Sequence, residues 1–433
     1  MIVVLSQGCA ANFGDGEKIA RLLSKKSEVS FEFPIGTAPE AFYLNVCTVK
    51  GNSGALKLLR KAASTYPGVP IYITGCAPKD FREEAIRAVP KVQFTTLAYL
   101  EQDPLFSGVS GNAEQDRTRI SNNNVTGSLH HNILRESPFV GIVNIEEGCL
   151  DACAFCSTHL VKGRLHSFAP STIVDQVQAL VDDGCLEIQL TGQDCACYGF
   201  DIGTNLAELT QKILTHVNGN YRIRLGMGNP RHVLGYQEAL LDCFTDEHIY
   251  KFIHIPVQSG SENVLKAMNR RHTAQDYTTL ANEFNKRFSK FTFSTDLIVG
   301  YPGESAEDFN DTLNILKETR PTVCNITRFV ARPNTVAARL EATAAAVPDS
   351  VKHERSAILA EAFQQIALEN NRKWIGDECT VVTEKPGYRS GTTIARNMAY
   401  RPVALQGSFP AGTTLRVRIT DAEPFALIAE PLA

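Results

Sequence analysis

The sequence predicts an α/β protein in three parts: an N-terminal parallel-sheet α/β domain, a partial (β/α)6 barrel, and a small five-stranded β-barrel at the C-terminus. Three observations carry that expectation. Short apolar runs alternate with helical patterns up to residue 100, as in a parallel sheet covered by helices. The same alternation resumes at Val140 and continues to about Ala331. Beyond residue 376 the helical periodicity stops, and short strands follow one another between Gly or Pro turns.

In the first part, residues 1–100, MIVVLS, AFYLNV and IYITG read as buried parallel strands, with DGEKIARLLSKK, SGALKLLRKAAS and REEAIRAV as the helices between them. Residues 101–135 are polar and weakly periodic, which predicts a linker. The second part, 136–340, holds the strands FVGIVNIEE, CLEIQLTG, YRIRLG, KFIHIPV, FTFSTDLIV and CNITRFV, separated by amphipathic helices such as AQDYTTLANEFNKRF. Six βα units make an incomplete barrel, whose active face lies at the carboxyl ends of its strands. Ser305 and Asp308 have the spacing of a capping box opening the helix after the fifth strand. A helix within 341–375 bridges to the tail. There CTVVTEK, GTTIARN, RPVALQ, TTLRVRIT and FALIAE supply five strands over 376–433, a barrel of the kind that holds oligonucleotides.

Composition narrows the function classes. Hydrophobic residues make up 43% of the 433 and charged residues 21%, which is ordinary for a globular protein. No apolar run reaches the length of a bilayer span, so no membrane partner is expected. The opening MIVVLSQGC has neither a basic leader nor a cleavage pattern, and a cytoplasmic location is expected. A net charge of −4 demands no polyanionic partner, yet a local basic face can still bind one. Over 371–433, eight basic residues stand against six acidic ones, which favours RNA over a basic protein as the partner of the tail. A solvated mixed-charge surface is the plainer reading. Arg416 and Arg418, alternating in LRVRIT, fall on one face of a strand.

Twelve cysteines in a chain expected in a reducing compartment point to metal, catalysis or burial rather than disulfides. Cys185, Cys195, Cys197, Cys243, Cys324 and Cys379 read as small packed residues. The other six form two triplets. In EEGCLDACAFCSTHL, Cys149, Cys153 and Cys156 stand on one tight polar loop directly after the first barrel strand. Three thiolates there can hold three irons of a 4Fe–4S cluster and leave the fourth open to the amino and carboxylate groups of S-adenosylmethionine. A structural zinc with His159 as fourth ligand has an allowed spacing, but a closed site has no use for the mouth of a barrel. Cys9, Cys47 and Cys76 each stand just beyond a parallel strand, where the ligand sites of open sheets form. Neighbouring strands lie about 5 Å apart, so these thiols can converge. On spacing alone, a cluster and three buried cysteines both stay open.

Together these stretches resemble the methylthiotransferase family of radical S-adenosylmethionine enzymes. GCAANFGDGE, LNVCTVK and ITGCAPKD are similar to the family's N-terminal cluster-binding domain, and GCLDACAFCSTHLVKGRLHSF to its radical-cluster loop. HIPVQSGSENVLKAMNRRHT and STDLIVGYPGESAEDF continue the match, and TIARNMAYRPVAL with LRVRITDAEP resembles the TRAM-like RNA-binding barrel that ends these proteins. LTGQDCACYGFDIGTNL and RIRLGMGNPRHV look most like the archaeal and eukaryotic branch, which methylthiolates threonylcarbamoyladenosine beside the tRNA anticodon. Two positions depart from that branch: Lys162 replaces the Arg of an Arg-Gly pair, and Cys195 replaces a Thr. Lysine keeps the charge and loses the bidentate geometry.

The resemblance implies two 4Fe–4S clusters and S-adenosylmethionine as cofactors. The cluster on Cys149, Cys153 and Cys156 would reduce S-adenosylmethionine to a 5′-deoxyadenosyl radical, which removes hydrogen from an aromatic C–H of the base. Sulfur held at Cys9, Cys47 and Cys76 would fill that position, and a second S-adenosylmethionine would supply the methyl group. Gln193 and Glu304 are placed to contact the cofactor, against the plainer roles of a loop-ordering amide and a helix-N-terminal carboxylate. Arg328, Arg332 and Lys162 are candidates for the threonylcarbamoyl carboxylate, against plain salt bridges. The expected partners are the tRNA anticodon loop, an electron donor such as a flavodoxin or ferredoxin, and a sulfur donor of unspecified kind. Competing functions are methylthiolation of isopentenyladenosine in tRNA or of an aspartate in a ribosomal protein, and a non-enzymatic iron–sulfur RNA-binding protein.

Overall fold

Parallel strands need crossovers that cover both faces of their sheet, and the first hundred residues supply them. The structure, a computed structural model, describes residues 1–47, 52–103 and 134–432. Most of the linker expected at 101–135 therefore lies outside the described residues. The chain divides into two compact units, the first formed by 1–148 with 157–193 and the second by 149–156 with 194–433.

In the first unit, β1 (Ile2–Ser6), β2 (Val29–Ser30), β3 (Ala41–Cys47), β4 (Ile71–Cys76) and β5 (Gln93–Phe94) form one sheet in the order β2-β1-β3-β4-β5. Every pairing in it is parallel. Helices α1 (Ala10–Leu23) and α4 (Leu97–Gln102) bury Ile19, Leu23 and Leu100 against Val4 and Tyr43. On the opposite face α2 (Ser53–Thr65) and α3 (Lys79–Ala88) bury Leu56, Leu59 and Phe81 against Val3, Phe42 and Ile73. Helix α1 opens directly after Cys9, five residues before the start expected from sequence. Gly14, just before the expected start, weakens the helical pattern, yet packing requires both it and Gly16. A Cβ on Gly14 would lie 2.9 Å from Ile142, and one on Gly16 would lie 1.9 Å from the Ser6 hydroxyl.

The same unit carries the first two strands of the second βα series. Strand β6 (Val140–Asn144) pairs in parallel with β9 (Glu187–Thr191), and the short β7 (Glu146–Glu147) and β8 (His166–Ser167) pair between them. Helices α5 (Thr158–Lys162) and α6 (Pro170–Asp182) complete it, the latter opened by a proline at its first turn.

The second unit holds β10 (Arg222–Leu225), β11 (Phe252–His254), β12 (Thr292–Val299) and β13 (Val323–Arg328), of which β11, β12 and β13 form a parallel sheet. Its helices are α7 (Leu206–His216), α8 (Pro230–Val233), α9 (Gln237–Cys243), α10 (Glu262–Ala267), α11 (Ala274–Arg287), α12 (Ala306–Thr319), α13 (Val336–Glu341) and α14 (Asp349–Arg372). The capping box at Ser305 and Asp308 is present at the start of α12.

Five antiparallel or parallel strands then close into a barrel in the order β14-β15-β16-β18-β17, namely β14 (Glu378–Pro386), β15 (Thr392–Asn397), β16 (Pro402–Gln406), β17 (Thr414–Glu423) and β18 (Ala426–Pro431). Closure removes both sheet edges. Trp374, Val381, Ala395, Leu405, Val417 and Leu427 fill the inside. Arg416 and Arg418 alternate with Val417 and Ile419 and share the outer face, where both bond to Glu378. Among the described residues no helix is long and apolar enough to cross a membrane.

Candidate metal centres

In the first unit the three N-terminal cysteines stand at or just beyond the carboxyl ends of adjacent strands. Cys9 is the residue before α1, Cys47 ends β3 and Cys76 ends β4, and the last two are register partners across the sheet. Glycine makes this approach possible. Gly8 has φ +116°, and a Cβ there would fall 2.2 Å from Cys47 Cβ, while Gly75 has φ +82° beside Asn45 and Val46. The thiols form one hydrogen-bonded chain through Cys47. That bond pushes the Cys9 thiol up and, with the charge of Lys162 assisting, holds the Cys76 thiol below its ordinary range. Three soft donors meeting at the carboxyl ends of the central strands fit an iron–sulfur cluster.

Lys162 lies close by, bonded to Asp15 at 3.1 Å and Glu147 at 2.8 Å. Burial opposes its charge, but the two carboxylates outweigh that and hold it protonated. A cavity of roughly 210 Å³ in this unit is lined by Lys162, Asp15, Lys18, Asn45, Glu147 and Gln193, among others. The Gln193 side-chain oxygen accepts from the Gly148 N–H at 2.7 Å, and so orders the residue that precedes Cys149.

In the second unit the loop of Cys149, Cys153 and Cys156 is held from two sides. The Asp151 carboxylate accepts from Asn229 Nδ2 and Arg231 Nη1, each at 2.6 Å, with His232 Nε2 at 3.3 Å. All three partners sit just past the carboxyl end of β10, on the NPRH run. From the other side, the Ala154 N–H donates to the Met268 carbonyl at 2.9 Å and Asn269 Nδ2 to the Ala152 carbonyl at 2.8 Å. Donors also reach the sulfurs themselves. The Asp151 N–H lies 3.4 Å from Cys149 Sγ and Arg270 Nη1 lies 3.6 Å from Cys153 Sγ. A hydrogen bond from Cys197 lowers the Cys149 thiol; burial raises that of Cys153, with Arg270 acting against it. Such donors stabilise thiolates, which is what a cluster-binding loop requires.

Glu304 is buried, accepts from the Gly300 N–H at 2.9 Å and pairs with Arg355 of α14. Its carboxyl is raised by burial, with Gly300 and Arg355 opposing. Arg328, at the end of β13, bonds to His353 of α14, and the Arg332 carbonyl accepts from the Thr335 N–H and hydroxyl at the start of α13. The sequence reading missed Asp151 with its three partners, the Met268–Arg270 turn, and Cys197 beside Cys149. The NPRH and AMNRRH runs, polar clusters just past strand or helix ends, were the available signals.

Residues 143–316 match the model of the radical SAM superfamily. Among solved structures, TsrM, a radical S-adenosylmethionine methyltransferase from Kitasatospora setae with cobalamin and a [4Fe-4S] cluster bound, aligns with a TM-score of 0.52 at 13% identity, covering 78% of this chain and 77% of that one. Apo OxsB, a cobalamin-dependent S-adenosylmethionine radical enzyme, aligns at 0.51 and 12% identity over 78% of this chain and 54% of that one. The fold is thus the partial α/β barrel of radical SAM enzymes, extended here by a closed C-terminal β-barrel. The chain is 34% identical to the probable threonylcarbamoyladenosine tRNA methylthiotransferase of Archaeoglobus fulgidus over 97% of its length and 96% of that protein's. It is 35% identical to the Pyrococcus horikoshii protein so named over 93% of each chain, and 28% identical to the Homo sapiens one over 93% of its own length and 69% of that protein's. The chain belongs to the threonylcarbamoyladenosine tRNA methylthiotransferase family. Enzymes of this kind use S-adenosylmethionine and two 4Fe–4S clusters.

Proposed function

We propose that this protein adds a methylthio group to C2 of N6-threonylcarbamoyladenosine beside the tRNA anticodon. The observation that carries this reading is the second thiol triplet. Hydrogen abstraction needs one cluster, whereas sulfur insertion needs a separate place to hold sulfur, and Cys9, Cys47 and Cys76 meet at the carboxyl ends of the central strands. Bound at Cys149, Cys153 and Cys156, a 4Fe–4S cluster would supply the electron that splits S-adenosylmethionine, while one at the N-terminal triplet would carry the sulfur.

The chain's own residues hold these groups in place. Asp151, through Asn229 and Arg231, fixes the middle of the radical loop, and Gln193 orders its entry at Gly148. Glu304 acts on the cofactor side by shaping the turn after β12, tied to the Gly300 N–H. The carboxylate of the substrate calls for a cation. Arg328, Arg332 and Lys162 are the candidates, and Lys162 would be shared with Asp15 and Glu147. An unpaired anticodon-loop base reaches a deep site at less cost than a paired one. The basic outer face of the terminal barrel supplies phosphate contacts, and a cytoplasmic flavodoxin or ferredoxin supplies electrons.

The test gives reconstituted enzyme matched tRNAs bearing threonylcarbamoyladenosine or isopentenyladenosine, with nucleosides read by mass spectrometry. The expected product is the 2-methylthio derivative of the threonylcarbamoyl form. Preference for the isopentenyl form, or modification of a ribosomal protein with neither tRNA changed, would overturn the substrate.

A further inference from the structure

We infer that Arg270 is a positioning residue for the radical loop, and that by donating to the sulfur of Cys153 it raises the reduction potential of the cluster held there. The inference rests on the proposed cluster at Cys149, Cys153 and Cys156 and adds a role for a residue outside that triplet.

The guanidinium is fixed at two points. Nη2 donates to the Pro256 carbonyl at 2.7 Å, just past the end of β11, and Nη1 lies 3.6 Å from Cys153 Sγ. Its Nε is buried with no hydrogen-bond partner among the described residues, so the two Nη atoms alone fix the head between the loop and the strand end. The backbone beneath it is equally constrained. The Arg270 N–H closes on the Leu265 carbonyl at 2.9 Å, and Asn269 before it takes a left-handed φ of 55°. That turn places the Met268 carbonyl, the Asn269 amide and the Arg270 guanidinium side by side against Ala154, Ala152 and Cys153. Three consecutive residues therefore grip three consecutive residues of the loop.

The charge matters as much as the grip. Arginine stays protonated throughout the usable pH range. A cluster gains one negative charge on reduction, and hydrogen bonds to its ligand sulfurs and nearby cations favour that state. The acids behind the loop are already engaged, Asp151 by Asn229 and Arg231 and Asp194 by the Asn229 N–H. Arg270 thus brings a positive donor directly to a ligand sulfur. Lysine would keep the charge but could not span Pro256 and Cys153 with a planar fork.

The experiment uses the full chain with Cys9, Cys47 and Cys76 all changed to Ala, so that iron reports the radical loop alone. Reconstituted anaerobically, the parent, Arg270→Gln and Arg270→Lys are titrated with a reductant while the reduced cluster is followed by paramagnetic resonance. Arg270→Gln should hold the parent's iron but show a roughly tenfold lower reduced-to-oxidised ratio at the parent's midpoint, a shift of about 59 mV to lower potential for a one-electron couple. Arg270→Lys should recover part of that shift. Equal midpoints at equal iron would overturn the inference, as would a lysine variant no closer to the parent than the glutamine one. If Arg270→Gln loses its iron, the lysine variant decides alone, and a parent-like midpoint plus a parent-like spectrum there would count against the fork geometry and overturn it. A parent that binds no iron in this background would overturn the cluster assignment itself, which iron analysis tells apart from a failure of the Arg270 role.

Discussion

Asn12 and Asn45 each donate a side-chain amide hydrogen to the other's backbone carbonyl, the first at 3.0 Å. Asn12 lies in the first turn of α1 and Asn45 near the end of β3, so the exchange ties the loop of Cys9 to the strand of Cys47. Both side chains are buried, at 2% and 0% exposure, and water cannot replace the bonds. Asn45→Ala should cost about 2–3 kcal/mol in unfolding free energy and lose the N-terminal iron while the radical loop keeps its own. Denaturant titration with iron analysis checks both, and parent stability with full iron would rule the tie out as a support of that site.

The two triplets should separate by role. Reconstituted protein is expected to hold about eight irons, and changing either triplet to Ala should remove about half. Loss of Cys149, Cys153 and Cys156 should abolish 5′-deoxyadenosine. Loss of Cys9, Cys47 and Cys76 should leave that cleavage measurable and stop methylthiolation. Chromatography of nucleosides decides it: methylthiolated product at the parent rate without the N-terminal triplet would remove that site as the sulfur carrier.

Glu17 gives the first unit a pH dependence of defined sign. Burial pushes its carboxyl from the ordinary 4.5 up to about 7, with the Glu136 N–H at 3.2 Å opposing. Between those values the folded chain holds more protons than the unfolded one, so stability is fully present below 4.5 and falls as pH rises through 7. The loss is on the order of 3 kcal/mol. Glu17→Gln should flatten this slope and be more stable than the parent at pH near 8, as followed by unfolding at a series of pH values. An unchanged slope would assign the dependence to another group.

The outer face of the terminal barrel should contribute to tRNA binding through charge. Arg416 and Arg418 both bond to Glu378, at 3.1 and 2.6 Å, and remain largely exposed. Changing both to Ala should weaken binding at moderate salt and lower the salt slope by roughly 2, whereas Glu378→Gln should tighten it. An unaltered slope in the double variant would place recognition elsewhere on the chain.

What could be read from the chain was set by local pattern. The strands that end at Cys47 and Cys76, the capping box at Ser305 and Asp308, and the five strands of the terminal barrel follow from periodicity and turn chemistry, which act over a few residues. What could not be read depends on approach through space. The start of α1 was hidden because Gly14, just before the expected helix, looks like a break until the Ile142 and Asn144 side chains it admits are seen. Cys197 read as packing, and burial agrees, yet its thiol faces Cys149. The bond of Gln193 to Gly148 joins residues 45 apart, and no spacing rule reaches that far.

The separation of Arg270 from Cys153, 117 residues along the chain, also orders events during synthesis. All five strands of the N-terminal sheet and its three cysteines have left the ribosome once Phe94 has emerged, whereas the loop of Cys149, Cys153 and Cys156 waits for the Met268–Arg270 turn that grips it. At about 5–20 residues per second the wait from Phe94 to Arg270 is roughly 9 to 35 s. A nascent chain therefore has its three N-terminal cysteines in place along the sheet before the loop of Cys149, Cys153 and Cys156 can meet the turn that holds it.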